Sequence, residues 1–347
     1  MRTAAFPGRR RRAGLSAALA LALAVGAGVG GAVADTAALG TSGPTSLPSS
    51  NAFSEDVTRA PVHASSRAMV SNLNQQVTSR YGGVAAFNVW QYGASINQVP
   101  GDQRRVDVSF DDCQRKGYTP RELYGPGGHF EDVPVPADAV PAAGTDGQMT
   151  IYSPSTDQLW EFWKARKTSS GWSACWGGRI DRFSRSAGLF PGMTGASASG
   201  TASSVGAVRI DEARAGQIDH ALALSLPQVG HWKSWSYPAQ RSDGSDRRPS
   251  AIPMGTRFRL DPSLDVASLG LHPVAEAAAR AAQRYGLVVT DTAGAVALTA
   301  ESGDTAKART GTNPWYGILG GTGSYAVLEG FPWSELQAVE AHWGAPS

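Results

Sequence analysis

Residues 148–181, QMTIYSPSTDQLWEFWKARKTSSGWSACWGGRID, decide the fold. Two runs rich in aromatic and β-favouring residues, Gln148 to Tyr152 and Gln158 to Arg166, flank Ser153-Pro154-Ser155-Thr156-Asp157, a turn by composition. Past Ser169-Ser170-Gly171 a third run, Trp172 to Asp181, continues the pattern, so the middle of the chain reads as a meander of strands. The composition agrees. Charged residues make up only 17% of the chain, while 41 Gly, 21 Pro and 10 Trp supply turns and aromatics, a balance that suits an extracellular β-sandwich better than a helical bundle.

Upstream, Ser65 or Ser66 is suited to cap a helix in which Met69, Leu73 and Val77 recur at helical spacing, with Gly82-Gly83 as its stop. Val84 to Tyr92 and Arg105 to Phe110 read as strands, the second alternating at Val106 and Val108. Residues 186–206 are rich in Gly, Ala and Ser, a long loop of the kind that is either functional or disordered. Gln217 to Leu226 is a strand ending at Pro227, with shorter candidates at Trp232 to Ala239 and Arg257 to Leu260.

Pro273 pre-sets a helix over Val274 to Tyr285, with Val274, Ala277, Ala278, Ala281, Ala282 and Tyr285 on one apolar face. Leu287 to Thr290 and Val296 to Ala300 then read as a hairpin through Asp291-Thr292-Ala293-Gly294. A last short helix from Pro332 would bury Leu336 and Val339. These elements predict a mainly β fold, a jelly-roll-like β-sandwich with a few packed helices, as one globular domain over residues 63–347.

Residues 1–34 have the parts of a secretory signal: basic Arg9 to Arg12, an apolar Leu15 to Val33, and the small-x-small site Ala32-Val33-Ala34. The Thr-, Ser- and Pro-rich residues 35–62 have little to bury and read as a disordered leader. No later run approaches the ~20 apolar residues that span a bilayer, so secretion without stable membrane insertion is expected. The net charge of +2 is spread without a basic stripe, which argues against a nucleic-acid partner.

The two cysteines, Cys113 and Cys175, would pair as a disulfide in an oxidising compartment. Two cysteines do not make a zinc site, and no His pair lies at ligand spacing, so neither a metal nor another cofactor is expected.

Several stretches, among them LNQQVTSRYGGVA, DCQRKGYTP, LYGPGGHF, IDHALALSLP, WSYPAQRSDG, IPMGTRFRLDPSLD and AAQRYGLVVTDTAG, resemble a family of secreted bacterial β-rich proteins. The resemblance runs from about residue 65 to the C-terminus, with an irregular Gly-rich departure after Ala300. It implies export and a single β-rich unit. Members sometimes occur beside carbohydrate-directed modules, and the resemblance implies no chemistry.

The sequence lacks a Gly-x-Ser-x-Gly elbow, a His-Glu-x-x-His pair and a phosphate-binding Gly-rich loop. Looser candidates remain. His220 shares a strand face with Ile218, Leu222 and Leu224; it is either a core histidine bonded to backbone or a general base or acid at one end of a groove. In the second case Asp219 or Asp243 would orient it and Arg241 would neutralise an anionic group on the substrate, the parts a uronate lyase needs.

A glycosidase needs two carboxyl groups instead, and Asp107, Asp111, Asp112, Glu131, Asp132, Asp146 and Glu161 supply candidates. Asp146 before Gly147 also fits a plain turn. Trp160, Trp163 and Trp235 would be sugar-stacking platforms, unless they are core. Arg257 and Arg259, on one strand face, read as a solvated sheet edge. The expectation is a secreted protein acting on a polysaccharide or cell-wall glycan as hydrolase or lyase; the alternative is a non-catalytic carbohydrate-binding or cell-surface module.

Overall fold

The structure, a computed structural model, describes residues 47–192 and 194–346. The expected export signal and the first part of the leader lie outside these residues. The described chain opens on a strap rather than a disordered leader. Ala52, Phe53, Val57 and Ala60 are buried, and Asn51 caps a 3-10 turn over Ala52–Ser54 through Phe53 N. Two buried arginines explain why so polar a segment stays down: Arg257 donates to the carbonyls of Ala52, Glu55 and Tyr285, and Arg259 to that of Val57. Arg257 and Arg259 are therefore inside the molecule, not on a solvated edge. A buried guanidinium is tolerated when its donors are satisfied.

Helix α1 (Ser66–Thr78) buries Met69, Val70, Leu73 and Val77, the face its spacing predicts. Its Ser66 hydroxyl accepts the amide of Ala338, 2.8 Å away, which ties the first helix to the last strand. The strand expected over Val84 to Tyr92 contracts to β1 (Ala86–Asn88), followed by β2 (Ile96–Gln98) and β3 (Val108–Phe110). The meander holds: β4 (Met149–Ser153) and β5 (Gln158–Trp163) pair antiparallel. The run beyond splits into β6 (Arg166–Thr168), β7 (Gly171–Ala174) and β8 (Trp176–Asp181). Cys175 falls at the break between β7 and β8 and is bonded to Cys113, 62 positions earlier.

Downstream come α2 (Ile210–Ala215), β9 (Leu222–Leu226), β10 (Arg257–Leu260), α3 (Pro273–Arg284), β11 (Leu287–Thr292) and β12 (Ala297–Thr299). In α3, His272 Nδ1 accepts the Val274 amide, Glu276 pairs with Arg280 at 2.6 Å, and the alanine face is buried. Gly286 ends it at φ +88°; a Cβ there would also meet the Phe258 carbonyl at 2.7 Å, so only glycine fits. Past α4 (Asp304–Thr310) and α5 (Trp315–Leu319), the expected last helix is instead a 3-10 turn and strand β13 (Leu336–Ala338), which still buries Leu336 and Val339.

The strands form three sheets, ordered β1-β12-β9-β11-β10-β13, β2-β4-β5-β8 and β3-β7-β6. The protein is β-rich with several helices. Parallel pairs β1–β12, β9–β11, β2–β4 and β3–β7 depart from the antiparallel jelly-roll-like sandwich expected. The expected hairpin is also absent, because β9 lies between β11 and β12. Every residue of β9 is buried, and a strand with two apolar faces belongs at the centre of a sheet. The segment Trp232 to Ala239 forms turns, joined to its neighbours by an isolated bridge from Trp235 to Met254.

Candidate active-site cleft

Between the six-stranded sheet and the meander lies a cleft of about 1280 Å³. That exceeds the roughly 300–1,000 Å³ of a small-molecule pocket and leaves room for several sugar rings. Its acidic floor is set by an irregularity in β11. The pairing with β9 runs Val289 to Leu224 and then Asp291 to Ser225, so Thr290 is the extra residue of a bulge. A bulge re-aims the side chains beside it. Thr290 and Asp291 both line the cleft.

Asp291 Oδ1 accepts its neighbour's amide, Thr292 N, at 2.9 Å. The Thr292 hydroxyl donates in turn to Asp243 Oδ2 at 3.0 Å, which brings a second carboxylate alongside. Asp146 is the third, fixed by the indole N–H of Trp163 at 3.2 Å. Asp291 sits deep among protein atoms while keeping one side open to the cleft. This desolvation, joined by the charges of Asp243 and Asp146, pushes its carboxyl up to about 7 against the opposing amides of Thr292 and Ala198. The floor thus holds one carboxyl pushed up to about 7, with the carboxyl groups of Asp243 and Asp146 beside it.

Arg241 also lines the cleft, and its guanidinium braces the wall loop: it donates to the carbonyls of Ser197 (2.8 Å), Ala198 (3.2 Å) and Gly195 (3.3 Å). That loop belongs to the Gly/Ala/Ser-rich stretch 186–206, whose described residues are ordered by their own hydroxyls. Ser197 Oγ donates to the Thr201 carbonyl at 2.6 Å, and the hydroxyls of Ser199 and Thr201 lie 2.7 Å apart.

The walls are aromatic. Trp163 and Trp176 are register partners at the end of β5 and the start of β8, with the Lys164 ammonium 4.6 Å from the first ring and that of Lys116 5.1 Å from the second. Trp90 contributes a third face, backed by Tyr316 at 4.8 Å. The disulfide fastens this wall, because Cys113 precedes the cleft-lining Gln114, Lys116 and Tyr118 and Cys175 precedes Trp176. Replacing both cysteines by Ser is expected to cost about 4 kcal/mol of stability by the chain-entropy model. A denaturant titration reads this directly, and a loss well under 1 kcal/mol would show that the tether constrains little.

Of the residues singled out by sequence, Arg241, Asp243, Trp163 and Asp146 meet in the cleft. His220, Asp219, Trp160 and Trp235 do not line it. His220 is 2% exposed, with Nδ1 2.8 Å from the Ala221 carbonyl and Nε2 3.1 Å from Glu212 Oε2; Glu212 in turn pairs with Arg209. Its ring nitrogens are occupied inside the core. Asp219 is exposed and accepts from Gln217 Nε2 at 2.7 Å. Trp160 is core, 1% exposed, and Trp235 stands on the surface against His342.

Glu161 is enclosed as well, its carboxylate accepting from the hydroxyls and amides of Ser203 and Ser204. The residue missed was Asp291, which reads in sequence as the first residue of a turn. Its one visible signal is an acid directly after the buried run Leu287-Val288-Val289-Thr290. No family model, curated protein or solved structure matches this chain.

Proposed function

We propose that the cleft binds a polysaccharide outside the cytoplasmic membrane and hydrolyses it, with Asp291 as proton donor to the departing sugar oxygen and Asp243 as its ionised partner. One arrangement carries the reading: Asp291, Asp243 and Asp146 meet on the floor of one aromatic cleft, and burial beside the other two pushes the Asp291 carboxyl up to about 7. Two carboxyl groups kept in different protonation states are what glycosidic hydrolysis requires. Trp163, Trp176 and Trp90 would take the apolar faces of successive rings.

A lyase is disfavoured on particulars. Its cation for the substrate carboxylate would be Arg241, which is occupied by loop carbonyls, and its base would be His220, which is bonded in the core. A purely binding module would gain nothing from a desolvated carboxyl in its floor. The export signal expected over residues 1–34 and the Cys113–Cys175 disulfide support the extracellular setting.

The test is a panel of neutral and acidic polysaccharides, reading reducing ends and unsaturated sugars together. New reducing ends without unsaturation are expected. Unsaturated products would mean a lyase, and retention on a polysaccharide without turnover would leave a binding module.

A further inference from the structure

A second cluster lies outside the cleft. Trp232 and Trp235 are 55% and 41% exposed, and neither lines the cleft. Between residues 229 and 255 they are the exposed large apolar side chains. The backbone that carries them is firmly held: His231 N donates to the Asp246 carbonyl at 2.8 Å, Ser234 N to His231 at 2.6 Å and Ser236 N to Met254 at 2.8 Å. The two indoles are presented on fixed turns.

Basic groups surround the first indole. The Lys233 ammonium lies 5.0 Å from the Trp232 ring centroid, the His231 imidazole is 5.4 Å from that ring, and Arg247 reaches His231 Nε2. Desolvation and the charges of Arg247 and Lys233 lower the His231 pKa, as expected where positive charge gathers. The carboxylate of Asp246, beside Arg247 in sequence, is engaged by Arg248 through bonds of 2.7 to 3.1 Å. Trp235 is met edge-on by His342, at 5.7 Å and 77°.

We propose that Trp232 and Trp235, with Lys233 and Arg247, form a second binding surface for acidic sugar rings of a polysaccharide. The apolar C–H face of a pyranose stacks on an exposed indole, and a ring carboxylate in the same plane meets the ammonium and guanidinium. A protein-docking patch would carry aliphatic side chains as well. The surface is separate from the cleft and does not depend on hydrolysis there.

Native electrophoresis of the full chain in gels holding sodium polygalacturonate, dextran or poly-L-glutamate tests this. All variants are compared in a Trp163→Ala background, which removes one of the cleft's three indole faces so that the second surface is read against a weakened cleft. Polygalacturonate is expected to retard the protein and the other two polymers to leave it unretarded. Trp232→Ala with Trp235→Ala, and separately Lys233→Gln with Arg247→Gln, are each expected to weaken retardation at least tenfold. These side chains are exposed, so folding is not at stake, and melting curves will confirm it. Equal retardation by dextran would overturn the acidic-ring assignment, and equal retardation by polyglutamate would overturn the sugar. Retardation that survives both pairs of substitutions, or none by polygalacturonate at all, would overturn the surface itself.

Discussion

Asp291→Asn is expected to lower hydrolysis by at least about a thousandfold while the protein melts no earlier than the parent. Loss of a general acid removes on the order of 10²–10⁴ in rate, and this site asks that one group deliver the proton to a poor leaving oxygen. Asparagine has the same shape, keeps an oxygen for the Thr292 amide and cannot donate a carboxyl proton. The pH dependence follows from the same carboxyl. A proton donor must be protonated, so turnover is expected to fall as pH rises through about 7. Its acid limb would belong to whichever carboxylate must be ionised. A variant retaining more than a tenth of the parent rate, or a parent rate that climbs from pH 6 to 8, removes Asp291 from the chemistry.

Glu301→Gln is expected to make the protein markedly more stable in alkali. Glu301 is 2% exposed and accepts the amide of Ile210 at 2.9 Å. Burial foremost, with the charges of Asp211 and Glu212 added, outweighs the Ile210 amide and the Arg209 charge and raises its carboxyl from 4.5 to about 8. The folded state then holds a proton that the unfolded chain has released. Stability from this group is complete below about 4.5 and is lost as pH climbs to about 8, at roughly 1.4 kcal/mol per pH unit.

Asp291 acts in the same direction over a narrower span, up to about 7. Glutamine imitates the protonated acid, so the variant should lose stability less steeply between pH 5 and 8, gaining on the order of 4–5 kcal/mol over the parent at pH 8. Denaturant midpoints across that range decide it. Parallel slopes for parent and variant would mean that Glu301 is ionised in the folded protein.

What was legible in the sequence was local. Met69, Leu73 and Val77 and the alanine face of α3 announce helices by the side they must bury, while β4 and β5 announce themselves by aromatic, β-favouring runs around a turn. Partners are another matter. A run such as Leu287 to Thr290 says strand but not beside what, and β9, contributed from more than sixty residues earlier, displaced the nearest candidate.

Charge misled in a related way. Arg257 and Arg259 look like a wet edge until the carbonyls of the strap supply their acceptors. The site was half visible, since Arg241, Asp243 and Trp163 carry obvious chemistry. Asp291 was not, because its raised proton affinity comes from burial and from the charges of Asp243 and Asp146, which nothing local to LVVTDTAG foretells. His220 shows the converse, a residue of catalytic type whose answer was Glu212, eight positions upstream.

The tie between the first helix and the last strand has a consequence in time. Pro61 accepts the amide of Glu340, His63 donates to Ala338, and Val62 bridges Val339. A chain made or threaded from its N-terminus therefore carries residues 61–63 without these partners until residues 338–340 have followed. Contacts of such sequence separation form late and slowly. Arg257, Arg259 and Ala187 can hold the strap before then, but the edge that residues 61–63 share with β13 closes last, so the cleft-bearing sheet gains its sixth strand late.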